Sequence, residues 1–219
     1  MQTVTEKLLR LAPPGGLFDE TVLCNLFPKA SVGARRLLVH RAISFGEILR
    51  LKRGLFILAA EYRKSEAHPF SIASLLHGPS HISLESALAH HGLIPEAVYQ
   101  VASVTAARSR VFKTPLGVFT FRRVPAHDPL AGVAAGKLGN GAWVFIASPL
   151  RAIADMVYLN RNVTWNRDGL NYLTASLRIE AEDLARISFR PLDAICRSIQ
   201  HRRTREYLVE LQKAVKHGR

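Results

Sequence analysis

Histidine offers the first opening for chemistry. The chain has nine, and His77, His81, His90 and His91 fall within one short stretch. Imidazoles grouped in this way can bind a transition metal or move protons if a carboxylate such as Glu85 completes the set. The spacing argues against it. Gly78-Pro79 breaks any helix between His77 and His81, so they form no i, i+4 ligand pair, and the adjacent His90 and His91 point in different directions. Ser83-Leu84-Glu85-Ser86 lacks the glycines of a nucleophile elbow. The glycines within residues 132–141 fit neither phosphate-loop nor dinucleotide spacing, and residues 131–141 read as a loop. Asp155 follows Arg151 by four residues on one expected helix, which a local surface ion pair explains. The residues therefore point away from an active site, with no catalytic residue, cofactor or metal expected. The competing class is a nucleic-acid processing enzyme that uses the His-rich segment.

Charge gives the clearer signal. The 219 residues carry 30 Lys and Arg against 17 Asp and Glu, a formal net charge of +13, which calls for a polyanionic partner. The excess is densest over residues 28–54, where seven basic residues (Lys29, Arg35, Arg36, Arg41, Arg50, Lys52, Arg53) stand against Glu47 alone. After residue 160 the twelve basic and seven acidic residues alternate as on solvated helices.

The elements that must position this block are legible around it. Thr3 or Thr5 can cap a first helix that runs to Leu11 and is stopped by Pro13, Pro14 and Gly15-Gly16. Residues 21–27 form a second helical run, stopped by Pro28. Ser31 can cap a third helix to about Ser44, with Ala34, Leu37, Leu38, Ala42 and Phe45 inward and Arg36 and His40 outward. Arg41 falls near the apolar stripe, its stem packed and its head in solvent. Two β-favourable arms, residues 48–52 and 55–59, then flank an Arg53-Gly54 turn. Two helices, an Arg-rich third and a basic hairpin follow the plan of a winged helix-turn-helix. On that plan Lys29, Ser31, Arg35, Arg36 and His40 face double-stranded DNA, the arginines reaching base edges, while Lys52 and Arg53 hold phosphates.

Residues 1–66 thus read as a winged-helix domain and residues 67–219 as a mixed α/β domain with a helical C-terminus, an α+β protein overall. In the second part residues 98–105 read as a strand, residues 110–124 as a hairpin around Thr114-Pro115-Leu116-Gly117, and residues 142–147 as a buried strand. Ser148 and Pro149 open a helix to Leu159, and Tyr207, Leu208, Leu211, Ala214 and Val215 share one face of the last. Cys24 and Cys196, in apolar surroundings, read as buried thiols of a reducing compartment. The N-terminus lacks the order of a signal peptide and no stretch is apolar enough to span a membrane, so the expected location is the cytoplasm.

Three segments resemble the antitoxin family of the abortive-infection AbiE toxin–antitoxin systems. GEILRLKRGLFIL (46–58) is similar to the family's wing. IASLLHGPSHISLESALAHHGLIPEAV (72–98) resembles its linking helix and Ser-x-x-Ser-Ala-Leu segment. IASPLRAIADMVYL (146–159) is similar to its strand-to-helix element, in which a small residue, a basic residue and an Asp recur. The resemblance implies an N-terminal winged helix that binds operator repeats and represses its own operon. It also implies a C-terminal domain that counteracts a nucleotidyltransferase-type toxin.

Overall fold

The computed structural model describes residues 3–95, 100–139 and 141–217. The chain opens with α1 (Val4–Leu11), whose N-cap Thr3 and Glu6 satisfy each other's backbone N–H groups in a capping box. After the Pro-Gly-Gly turn come β1 (Leu17–Asp19), α2 (Glu20–Leu26) and α3 (Val32–Ser44). Asp19 accepts from Thr21 N and Val22 N to start α2, and Ser31 accepts from Ala34 N at 3.2 Å to start α3. Strands β2 (Ile48–Lys52) and β3 (Leu55–Leu58) form the expected hairpin, its turn relying on Gly54 at φ +78°. Strand β1, absent from the sequence reading, adds to β3 and completes an antiparallel sheet in the order β1–β3–β2.

Helix α3 does not face as expected. Val39 and Ala42 are its buried residues, with Arg35, Leu38 and Ile43 half-buried beside them. Leu37 is 51% exposed and Phe45 79%, although the apolar spacing puts both inward, and Ala34 is exposed as well. Apolar residues lie all round this helix, so periodicity selects no side, and packing against α1 and β2 makes the choice. Cys24 is exposed and Cys196 half-buried, so neither is the buried thiol expected.

The second part begins with α4 (Pro69–Leu76), β4 (His81–Ile82) and α5 (Leu84–His90). It continues with β5 (Gln100–Thr105), β6 (Arg110–Thr114), β7 (Gly117–Arg123), β8 (Val133–Lys137) and β9 (Trp143–Ala147). These strands form one mixed sheet in the order β6–β7–β5–β4–β9–β8, with β5 parallel to β7 and β4 parallel to β9. Residues 98 and 99 of the expected fifth strand lie outside the described residues. Strand β8 replaces part of the expected loop. Its Val-Ala-Ala-Gly-Lys sequence is weakly β-forming, and antiparallel pairing to β9 supplies the order. Strand β9 is buried on one face only, for Trp143 is 67% and Phe145 46% exposed.

Ser148 and Pro149 open α6 (Pro149–Leu159) as read, and every residue from Leu150 to Val157 is buried. Around it pack α5, α9 (Leu192–Ile199) and α10 (Arg202–His217), with the short α7 (Trp165–Asp168) and α8 (Ala181–Arg186) between. Arg203 closes the C-terminal end of α6 by donating to the carbonyls of Tyr158, Asn160 and Val163. No helix among the described residues is long and apolar enough to cross a membrane.

Two apolar cores result, and the hairpin joins them. Val4, Leu8, Phe18, Leu23, Val39, Ala42, Ile48, Phe56 and Leu58 form the smaller one. Leu51, Leu55 and Ile57 of the same hairpin belong to the larger core of the second part.

Candidate nucleic-acid interface

Helix α3 sets out the candidate interface by its own geometry. With Val39 and Ala42 inward, Gly33, Arg36, Leu37, His40 and Ser44 form the opposite, exposed face. Arg36 and His40 are both exposed and one turn apart, as expected from the sequence. Lys29 is exposed in the turn before the helix, and Ser31 holds the first turn as cap. Arg53 is exposed at the hairpin turn. The side chains of Lys29, Arg36 and Arg53 have no ion-pair partner among the described residues, so these cations are open to an outside anion.

The other two expected contacts are engaged inside the protein. Arg35 is half-buried, and its Nη1 donates to the carbonyl oxygens of Ala30 and Phe27, tying the α2–α3 turn to the helix. Its Nε is buried without a partner among the described residues. Lys52 Nζ donates to the carbonyls of Leu75 and Leu76, each at 2.8 Å, and so caps the C-terminal end of α4. Burial, aided by the nearby Arg110 charge, lowers the Lys52 pKa. Both side chains position elements of the interface instead of lining it. Conversely, Arg41 and Arg50 are exposed, and Arg50 lies over the Phe56 ring at 5.8 Å from its centroid. No spacing rule in the hairpin separates Arg50 from Lys52. Two residues apart, they would share one face of a regular strand, and the irregularity in the β2–β3 register between them lets Lys52 turn to α4 while Arg50 stays exposed.

The histidines of the middle segment go separate ways. His77 Nε2 lies 3.1 Å from the Arg108 carbonyl and His91 Nε2 2.9 Å from that of Ala147. His90 is largely exposed, and partial desolvation together with the neighbouring His91 and His68 lowers its pKa. His81 is buried, with Nε2 3.4 Å from Asp155 Oδ2. No group of three His, Cys, Asp or Glu among the described residues could hold a metal ion.

His81 leads instead to a buried polar network. Arg151 Nε donates to Asp155 Oδ1 at 3.0 Å, Ser83 Oγ donates to Asp155 Oδ2 at 2.7 Å, and Arg151 Nη1 donates to the Ala131 carbonyl at 2.7 Å. Arg151 and Asp155 are both 0% exposed, so the expected surface pair is a buried one. Burial alone would raise the Asp155 pKa, but Arg151, His81 and Ser83 together hold it below the ordinary value. Ser83 sits at the N-cap position of α5 yet turns its hydroxyl to Asp155. Gly132, at φ +73°, passes so close that a Cβ there would lie 2.7 Å from Ile195 Cδ1 and 3.1 Å from Arg151 Cβ. Residues of β4, α5 and α6, far apart in the chain, thus meet at Asp155. Their polar residues act as an internal tie between β4, α5 and α6.

Comparison of the chain with known protein families and with curated proteins finds no match.

Proposed function

We propose that this protein is a double-stranded-DNA-binding transcription regulator whose N-terminal unit acts as a winged helix-turn-helix. What carries the reading is the outer face of α3, where Arg36 and His40 stand exposed with no ion-pair partner among the described residues, with Lys29 at the start of the helix and Arg53 at the hairpin turn. Three helices followed by a hairpin in a β1–β3–β2 sheet suit insertion of the third helix into a major groove. Arg36 would take a guanine through two parallel hydrogen bonds, and Lys29 and Arg53 would neutralise phosphates. Arg35 and Lys52 serve this surface from behind, by fixing the turn before α3 and the seat of the hairpin. Selection of bound duplexes from a random pool, followed by hydroxyl-radical footprinting, tests it. Enrichment of a short motif protected in one groove is expected, and recovery of random sequence alone rejects it.

The resemblance to AbiE antitoxins extends the proposal to repression of its own operon at operator repeats and to neutralisation of a nucleotidyltransferase-type toxin by the C-terminal unit. Rescue of cells that express the product of the adjacent reading frame tests that part. Rescue by the full chain carrying Arg36→Ala and Arg53→Ala is the expected result, and rescue that needs these exposed cations would contradict it.

A further inference from the structure

The side of α3 turned toward α1 borders a groove of about 650 Å³. Leu26, Phe27, Leu37 and Leu38 supply its apolar floor, and Leu37 is left 51% exposed by it. Its charged lining is Lys7, Lys29 and Arg41, with no acidic residue among the lining groups. Lys7 is held there, its Nζ donating to the Leu26 carbonyl at 2.7 Å and lying 4.2 Å from the Phe27 ring centroid. Lys29 and Arg41 are exposed at the edge and have no ion-pair partner among the described residues. A DNA backbone matches the cations but leaves the apolar floor unused, whereas a neutral hydrocarbon leaves Lys29 and Arg41 unmatched. The volume lies in the range of about 300–1,000 Å³ usual for small-molecule sites.

We infer that this groove binds a small anionic amphiphile, an aliphatic or aromatic carboxylate whose apolar body rests on Phe27 and Leu37 and whose carboxylate meets Arg41 and Lys29. Such a ligand puts negative charge at the edge of the α3 face assigned to DNA, with which the groove shares Lys29 and Leu37, and so lowers affinity for a polyanion. That coupling rests on the DNA-binding proposal, while ligand binding does not.

Calorimetric titration of the full chain with octanoate and with 1-octanol tests it. Octanoate is expected to bind saturably at one site, with 1-octanol weaker. Arg41→Gln should weaken octanoate about two- to fivefold, the range of a partly exposed ion pair. Leu37→Asp should weaken it by roughly tenfold or more, because an apolar contact is replaced by a like charge. Leu37 is half exposed, so this variant should keep its thermal midpoint; if it does not, Arg41→Gln decides. No saturable binding, equal binding of 1-octanol, or Arg41→Gln binding like the unaltered chain would overturn the inference. In a second arm, octanoate should weaken the binding of duplex DNA to the unaltered chain. Octanoate binding in a chain that binds no DNA leaves this inference standing and removes the DNA reading; DNA binding without octanoate binding does the reverse.

Discussion

Arg36 on α3 and Arg151 on α6 are the same residue type in two helices of similar length, and they have opposite fates. Arg36 is exposed with no ion-pair partner among the described residues, whereas Arg151 is 0% exposed and bound to Asp155 and the Ala131 carbonyl. A guanidinium in solvent contributes little to stability and remains available to an outside anion. A buried one must be matched inside the protein, because an unmatched charge there is costly. The first kind gives the molecule its reach and the second sets one arrangement of its chain. The N-terminal unit holds the concentrated exposed charge, and the C-terminal unit holds the buried network.

The sharpest way to break this contrast is Asp155→Ala, which strands Arg151 in the interior. It should destabilise the protein by about 3–5 kcal/mol in urea denaturation, several times the effect expected of a surface i, i+4 pair. An effect below about 0.5 kcal/mol would make the network no more than a surface pair. Acid should act through the same carboxylate. Asp155 is held below its ordinary value of 3.8, so the unfolded chain takes up the proton first as pH falls. Its stabilising contribution is complete above that value and is lost as pH drops through the folded value. The fall in urea midpoint between about pH 5 and pH 3 should therefore be smaller in Asp155→Asn than in the unaltered protein. A next smaller effect is expected at Gly132→Ala, which forces a side chain into the left-handed region and against Ile195. A loss of about 1–2 kcal/mol is expected, read as a lowered thermal midpoint.

Much of the fold was legible because its signals are local. The caps at Thr3, Ser31 and Ser148, the Gly54 turn and the last helix's apolar face each lie within a few residues of what they determine. The remainder depends on distant partners. Strands β1 and β8 are ordered by pairing to β3 and β9, and the facing of α3 is chosen by α1 and β2. A four-residue spacing of Arg and Asp is the same on a surface and in a core, so the burial of Arg151 and Asp155 had no sequence signal. At the candidate interface the residue types were legible and their destinations were not. Arg35 and Lys52 have side chains long enough to reach carbonyls of neighbouring segments, and only the folded chain brings those carbonyls into range.

That distinction separates two neighbouring hairpin residues. Lys52→Ala should cost about 1 kcal/mol of stability through its lost hydrogen bonds and leave the salt dependence of DNA binding unchanged. Arg53→Ala should leave stability unchanged and reduce the slope of log affinity against log salt by about one unit. The reverse pattern would place Lys52 on the phosphates.

Fluorescence anisotropy of the selected duplex and a scrambled one, titrated with the unaltered protein and with Arg36→Ala at several salt concentrations, tests the central claim most directly. Arg36→Ala should weaken the selected duplex by roughly 1–3 kcal/mol and the scrambled one much less, because a base contact is lost. Equal weakening of both duplexes, or no change in either, would contradict the assignment of α3 as the helix that reads DNA.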